Sequence, residues 1–434
     1  MTDIQSLSPG KEGVDTTDAD GVLVRVRNLH THFSQRGNLF STHKPVVKAV
    51  NDVSFDLREG DIFGLIGESG SGKTTLGRSI LGLAPTTTGE VWWRGINLAT
   101  LNEKRFRPLR RKMGMVFQDP NASLNPAMTI VQGVGHPLQI HGIAHDRAEV
   151  RAMVSEMLER CGLTPAARYL DSYPEDVSGG QKQRVVIART LITEPELVVA
   201  DEPVAALDMS VRAKVLELML DLKEQLGLTY LYITHDLTSG RFVCDQIGIM
   251  YLGELVEWGD AKAIYDDPQH PYTTSLLQAV PLPDPSRKGR DKQLPVGEIP
   301  DALDPPTGCQ FHPRCPVAFQ PCGWEGADLI DFLERRWTEV DADTFERELE
   351  ATGPLTAVKV DRHTARFTSA SPDRLLPLLE ELRTTGDHPI FTAVTDVTRD
   401  AGDVVLRFGE GPEPALQAVK GRMVACHLHG VTTR

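Results

Sequence analysis

A chain of 434 residues exceeds what one ordinary core holds, so two or three domains are expected. Its formal charge of −14 argues against a general nucleic-acid binder, which needs Lys and Arg surface to displace counterions from phosphates. Six cysteines, no basic-then-apolar leader in MTDIQSLSPGKEG and no run of 18 apolar residues point to a reducing, cytoplasmic setting and to a chain that does not itself span a membrane.

Residues 1–21 are polar and predict a disordered lead. VLVRVRNL and VSFDL then predict strands, and DIFGLI a short apolar one. GESGSGKT, from Gly67 to Thr74, follows that strand and opens the helix TTLGRSILGL, which is the context a phosphate-binding loop requires. Gly67, Glu68, Ser69, Gly70, Ser71 and Gly72 would wrap phosphates with backbone N–H groups, helped by the helix N-terminus. Lys73 would reach the β- and γ-phosphates and Thr74 would ligate Mg2+, with Thr75 adjoining as a further contact. A second apolar strand, LVVAD, ends at Asp201 and Glu202. A carboxylate at the tip of a buried strand beside such a loop suits Mg2+, and its neighbour can polarise an attacking water. Alone, an Asp-Glu pair after a strand is more often a solvated loop; the company of GESGSGKT reverses that. Cys161 and Cys244 fall in apolar runs and are expected to be buried small hydrophobes, while Trp92 and Trp93 should pack on a strand.

Between these elements VSGGQKQR, residues 177 to 184, runs into the helix VVIARTLI. With it the chain resembles the ATP-binding subunits of ABC transporters, whose signature is normally LSGGQ; Val177 here replaces the leading Leu, an apolar exchange that should leave phosphate contacts intact. The resemblance implies an α/β P-loop NTPase domain, with a RecA-like core, an antiparallel β subdomain and a helical subdomain that carries the signature. It also implies roles. Ser178, Gly179, Gly180 and Gln181 would present donors at a helix N-terminus to the γ-phosphate of ATP held by the opposite subunit, so that ATP lies between two head-to-tail protomers. Gln118, ending MGMVFQ, corresponds to the Q-loop glutamine beside Mg2+. Asp208 in AALD corresponds to the D-loop at the dimer seam, and His235 after LTYLYIT to the switch histidine on the γ-phosphate. Glu202, His235 and Gln118 would thus be catalytic. Phe33 in THF is the first candidate to stack on adenine and Phe40 the second, although either could be core.

Three phrases narrow the branch. VFQDPNASLNPAMTI, ADEPVAALDMS and HPYTTSLLQAVPLPDP are similar to the oligopeptide, dipeptide and nickel importers, and HTHFSQRGNLF leans towards the second of that branch's two paralogous ATPases. The resemblance implies a paralogous ATPase partner (a homodimer being the alternative), two integral membrane permease subunits, an external solute-binding protein and a place on the cytoplasmic face of the membrane. Peptides are the implied cargo, with nickel or sugars as alternatives. A soluble ABC ATPase acting on nucleic acid is the rival class, disfavoured by the single cassette and the absence of a coiled-coil insertion.

After a Pro-rich linker comes GCQFHPRCPVAFQPC, with Cys309, Cys315 and Cys322. Members of this branch carry a similar FHPRCP cluster followed soon by a fourth cysteine, which here is Cys426 in MVACHL, separated from Cys322 by 103 residues. Four such cysteines would hold a [4Fe-4S] cluster, with Zn2+ or no metal at all as the alternatives, and His312 would order the loop. The intervening residues 325–420 hold 20 Asp/Glu against 11 Lys/Arg, an excess that reads either as an acidic insert or as an ordinary solvated surface. Helix-like ADLIDFLERRW and PDRLLPLLEELR alternate there with strand-like LTAVKV, PIFTAVTDV and DVVLRF, which predicts a small α+β domain inserted into the C-terminal cysteine-containing lobe. The expected layout is a lead to residue 21, the ATP-binding domain over 22–265, the HPY region over 266–323, the insertion over 324–420 and the end of the cysteine lobe over 421–434.

Overall fold

The computed structural model describes residues 21–34, 46–279, 295, 297–368, 372–385, 388–400 and 402–430. Phe40 and residues 1–20 of the expected lead lie outside the described residues. The chain divides into two compact units, one ending at Asp267 and one beginning at Pro268.

In the first unit Val22–Ser34 (β1) and Val46–Arg58 (β2) pair antiparallel and bury alternate residues, the pattern of strands with one face on a core. Ile62–Ile66 (β3) leads through a loop into the helix Lys73–Ile80. Thr88–Trp93 (β4) and Ile96–Asn97 (β5) complete an antiparallel sheet in the order β2-β1-β4-β5. Trp93 is buried in it, and Trp92 donates its indole N–H to Glu90 at 2.9 Å.

Met113–Val116 (β6), Leu197–Asp201 (β7), Thr229–Thr234 (β8), Gln246–Tyr251 (β9) and Glu254–Asp260 (β10) join β3 in a second sheet, in the order β10-β9-β3-β8-β7-β6. Only the β9–β10 pair is antiparallel among these neighbours. β3, β7 and β8 are buried at every residue, as parallel strands covered on both faces must be. From β3 the chain crosses to β6 and returns through β7 and β8 before placing β9 on the other side of β3. Ligands bind beyond the carboxyl ends of strands where the order reverses in this way. At those ends stand Gly67, Gln118, Asp201 and His235.

The helices Ile130–Ile140, Arg147–Arg160 and Gly179–Leu191 share one core, with Leu138, Val154, Leu158 and Val185 fully buried. Cys161 and Cys244 sit at helix C-termini. Burial pushes the Cys161 thiol up to about 12 and the Cys244 thiol up as well, so neither is reactive.

The second unit opens with the helix Pro271–Ala279 and later forms helices Gly326–Glu339, Ala342–Thr352 and Pro372–Thr385. Lys359–Val360 (β11), Thr364–Phe367 (β12), Val394–Asp400 (β13) and Asp403–Phe408 (β14) make an antiparallel sheet in the order β11-β12-β14-β13. Leu329, Leu333, Phe367, Leu375 and Ile390 form the core between these helices and strands. PIFTAVTDV is not a strand throughout. Ile390–Ala393 form a helical turn after Pro389, which tucks Ile390 and Phe391 into that core, and the strand starts at Val394. LTAVKV likewise yields a 3-10 turn, with only Lys359 and Val360 extended. Glu348, 0% exposed, is matched by Arg336, which donates from Nε and Nη2, and by the Trp337 indole N–H at 3.0 Å.

Gln417–Val419 (β15) and Arg422–Val424 (β16) form a hairpin that leads to Cys426. The segment between Cys322 and this hairpin leaves and rejoins its unit at one point. There Gly411 lies so close to Gly323 that a Cβ on Gly411 would stand 2.2 Å from the Gly323 Cα. Gly323 itself has φ 95, a left-handed conformation that favours glycine.

Candidate nucleotide site and a cysteine cavity

The loop after β3 turns because glycine allows it to. Gly70 and Gly72 have φ of 79 and 100, and a Cβ on Gly72 would come within 2.0 Å of the Ala49 carbonyl. Lys73 is buried inside this loop, donating from Nζ to the Gly67 and Glu68 carbonyls at 2.9 and 2.7 Å and to Ser71 Oγ at 3.2 Å. Desolvation pulls its pKa below the usual lysine range, opposed by the charges of Glu202, Asp201 and Glu68. Thr74 Oγ1 donates to Asp201 Oδ1 at 2.9 Å, tying the start of the helix to the tip of β7. Burial raises the pKa of Asp201, while the Thr74 hydrogen bond and Arg78 hold it down. Ser69 and Gly70 are exposed, and Glu68, Gly72, Thr74 and Thr75 are half-buried.

Glu202 is the centre of a second group. Gln118 Nε2 donates to its Oε2 at 2.9 Å, and His235 Nδ1 lies 2.9 Å from its Oε1. Three strand ends therefore converge on one carboxylate. Its backbone sits at φ 47, a region in which a non-glycine residue stores about 1 kcal/mol or more of strain, and the Glu202 N–H is held by the Ile233 carbonyl at 2.9 Å. Strain of this kind is retained where the surroundings over-determine a side chain's position.

The signature residues stand at the start of the helix Gly179–Leu191. Ser178 caps that helix in a reciprocal arrangement with Gln181: the Gln181 N–H donates to Ser178 Oγ at 3.4 Å and the Ser178 N–H to Gln181 Oε1 at 2.9 Å. A Cβ on Gly179 would meet open space, whereas one on Gly180 would strike Val211 at 2.6 Å. Asp208 is exposed at the N-terminus of the helix Met209–Leu226, beside Met209, which is 85% exposed. Phe33, at the end of β1, is 41% exposed and thus no core residue. Sequence reasoning missed a strut across this region. Lys182 Nζ donates to Asn121 Oδ1 at 2.9 Å and Arg189 Nη1 to the Ser123 carbonyl, joining the signature helix to the segment after Gln118. The signal was available in Lys182 of QKQR and Arg189 of VVIARTLI, seven residues apart on the helix after the signature.

In the second unit Cys309, Cys315, Cys322 and Cys426 line one small cavity with His270, His312 and His427. All six cysteines of the chain are free thiols. Cys309 keeps part of its surface in solvent, yet its sulfur is enclosed, and burial followed by the nearby Cys322 and Cys426 pushes that thiol well up. Burial likewise raises Cys315, to about 12, and Cys322. His312 Nδ1 lies 2.8 Å from the Cys309 carbonyl and its Nε2 3.0 Å from Asp328 Oδ2, so both ring nitrogens are engaged and the ring orders the loop. Among the described residues, no group of three or more His, Cys, Asp or Glu side chains is arranged to hold a metal ion. As the side chains stand, the geometry does not support a bound cluster or Zn2+.

Residues 50–205 match the family described as ABC transporter, and residues 256–322 the family described as Oligopeptide/dipeptide transporter, C-terminal region. The chain is 45% identical over 302 residues to the putative oligopeptide transport ATP-binding protein YkfD of Bacillus subtilis (strain 168), covering 69% of this chain and 89% of that protein. It belongs to the ABC transporter ATP-binding family. The oligopeptide transport ATP-binding protein OppF of Escherichia coli (strain K12) is 42% identical over 309 residues, 70% of this chain and 92% of that protein. A putative peptide import ATP-binding protein of Brucella ovis is 43% identical over 300 residues, 69% of this chain and 91% of that protein. This ABC chain is accordingly an ATPase coupled to transport, with an ABC ATPase fold and ATP as its nucleotide. Among the described residues, no helix of the ABC chain is long and apolar enough to cross a membrane.

Proposed function

We propose that this chain is an ATP-hydrolysing subunit of a peptide importer, seated on the cytoplasmic face of the membrane beneath two permease subunits and served by an external solute-binding protein. The observation that carries the reading is the convergence of Gln118 and His235 on Glu202, beside the Thr74–Asp201 hydrogen bond and the glycine loop around Lys73. Backbone N–H groups of Gly67 to Gly72 and the Lys73 ammonium bind the phosphates, exchanging the loop carbonyls that Lys73 now contacts for phosphate oxygens. Thr74, Asp201 and Gln118 would hold Mg2+, whose chemistry there is to offset charge on the phosphate oxygens. Glu202 orients and polarises the attacking water, and His235 senses the γ-phosphate from the opposite side of the same carboxylate. Phe33 offers an exposed face for adenine.

Ser178, Gly179, Gly180, Gln181 and Asp208 serve the nucleotide of a second, paralogous subunit packed head to tail. The exposure of Ser178, Gly179 and Asp208 at helix N-termini supports this, with Gly180 and Gln181 half-buried beside them. Closing such a dimer on ATP and reopening it after hydrolysis supplies the motion that drives alternating access. The relatives' names support peptides over nickel or sugars as cargo, and selectivity resides in the other subunits. Co-purification with integral membrane subunits separates this reading from a soluble ABC ATPase. The catalytic part is tested by Glu202→Gln, which is expected to stop turnover and retain ATP; near wild-type hydrolysis would remove Glu202 from the role.

The cysteine cavity belongs to the same proposal as a soft-metal site, a [4Fe-4S] cluster or Zn2+, on Cys309, Cys315, Cys322 and Cys426. Four soft donors from segments far apart in sequence share one cavity, which supports it. The thiols must turn about their single side-chain bond to converge. Iron, acid-labile sulfide and zinc measured in anaerobically purified protein test it. The acidic segment between Cys322 and β15 is proposed to be a domain inserted into this lobe, since it has its own core and joins the lobe at the Gly323–Gly411 contact.

A further inference from the structure

The chain carries a formal charge of −14, yet Glu103 to Lys112 gather six Lys and Arg against one carboxylate in ten residues. Phe106 and Leu109 fasten this segment to the first unit, buried in the core that the antiparallel sheet shares with the helix Lys73–Ile80. Two of the six cations are matched. Arg110 pairs with Glu103 and lies over the Phe106 ring, 5.0 Å from its centre, and Lys112 Nζ is 3.1 Å from Glu196 Oε1. Lys104, Arg105, Arg107 and Arg111 are exposed, and among the described residues their side chains make no hydrogen bond or ion pair. One such cation is an ordinary solvated charge. Four in one short segment of an acidic chain make a local positive field that the rest of the molecule opposes.

The cations have apolar company. The Phe106 ring lies against Gly82, where a Cβ would stand 2.8 Å from it, and the next residue, Leu83, is 52% exposed. Burial, and then the charges of Arg111 and Arg107, hold the His141 pKa below the usual histidine range, which sets that ring beside the two guanidinium groups. Ile140, which precedes it at the end of the helix Ile130–Ile140, is 54% exposed. Unpaired Lys and Arg with large apolar side chains among them suit an anionic bilayer, where cations meet headgroup phosphates and apolar groups enter the acyl boundary. Other anions fit less well. All four cations are exposed, so they enclose no single phosphate, and a nucleic acid would engage them and leave Leu83 and Ile140 bare. At physiological salt charges beyond about 8 Å are screened, so these local cations and not the net charge decide contact.

We propose that Lys104, Arg105, Arg107 and Arg111, with Leu83 and Ile140, form a contact surface for the anionic lipid headgroups of the membrane beneath which this subunit sits. This rests on the proposed seat on the cytoplasmic face and deepens it: the subunit is held to the bilayer by its own surface as well as through permease subunits. β6, four residues long, joins the segment to Gln118 over about 13 Å, so a contact made by these cations bears on a strand that ends at the nucleotide site.

The test is co-sedimentation of the purified full chain with phosphatidylcholine vesicles made with and without phosphatidylglycerol. Binding is expected only where phosphatidylglycerol is present, and raised salt should weaken it as the screening length shortens to about 3 Å at 1 M. Each cation near such a surface is worth roughly fivefold in affinity, so Lys104→Gln, Arg107→Gln and Arg111→Gln together should weaken binding by on the order of 100-fold. Lys214→Gln, Lys262→Gln and Lys359→Gln remove the same charge from exposed positions outside the segment and should leave binding close to wild type. Leu83→Ser with Ile140→Ser should weaken binding while its salt dependence persists, which separates apolar insertion from charge. Unchanged ATPase rate in each variant establishes that the chain is folded. No binding of wild type to phosphatidylglycerol vesicles, equal binding to neutral ones, or an equal loss in the two charge triplets would overturn the surface and leave the importer reading standing. Loss of permease co-purification in the first triplet, with no vesicle binding by wild type, would assign the cations to an acidic protein and overturn the lipid contact. Vesicle binding as expected, by a chain that never co-purifies with membrane subunits, would support the contact and remove the importer reading.

Discussion

The nucleotide site and the cysteine cavity are built in opposite ways. At the first, charged groups stand already matched to one another: Lys73 on loop carbonyls, Thr74 on Asp201, Gln118 and His235 on Glu202. At the second, thiols raised in pKa by burial share a cavity, and the His427 Nδ1 has no hydrogen-bond partner among the described residues. A site that must turn over repeatedly is pre-arranged on strand ends, where the sheet fixes position.

The comparison is sharpened most by the nucleotide site itself. Glu202→Gln is expected to lower ATP turnover by about 10²–10⁴-fold while nucleotide stays bound, and Lys73→Ala to lose nucleotide binding, both read by ATPase rate and filter retention. Equal loss of binding in the two variants would break the division of labour. Next in size, under the proposed soft-metal reading Cys426→Ser should lower the metal content, measured by elemental analysis, and leave ATP affinity within experimental error, because the two sites draw on separate units. A large drop in ATP affinity would mean that the two are coupled.

Stability separates the regions further. Glu348→Ala leaves Arg336 and the Trp337 indole without their acceptor inside the second unit and should cost about 3 kcal/mol there, seen as an earlier denaturant transition with the first unit's transition unmoved. Asp328→Asn weakens the hold on His312 and should cost about 1–2 kcal/mol, with faster alkylation of Cys309 as the direct measurement. The smallest effect on catalysis is expected from Asp119→Lys, beside Gln118, which should uncouple transport and spare basal ATPase; a matching fall in both would assign that surface to the nucleotide site.

Much of the first region was legible because each of its functional groups lies in a contiguous peptide at the end of an apolar strand. GESGSGKT, LVVAD and LTYLYIT carry position and chemistry in the same few residues. The helix Ala342–Thr352 was illegible for the opposite reason: Glu348 occupies a core position, and only Arg336 and Trp337, from the preceding helix, make that tolerable. PIFTAVTDV misled because β-branched and aromatic residues suit a buried helical turn as well as a strand once Pro389 has set the entry. His427 could be noticed in MVACHL but not interpreted, since its proton is placed by a carbonyl 15 residues away in sequence. Periodicity says nothing about which nitrogen of a ring is free.

The Gly323–Gly411 contact has a consequence for how this chain could change length. Because the backbone leaves and returns through touching glycines, excising everything between them would leave two ends already at peptide-bonding range, with almost no loop-closure entropy to supply. As a splice the excision is free; as chemistry it is not. It would take Asp328 from His312 and Glu325 from the Thr307 N–H, so the shortened lobe should fold with its cysteine loop loosened.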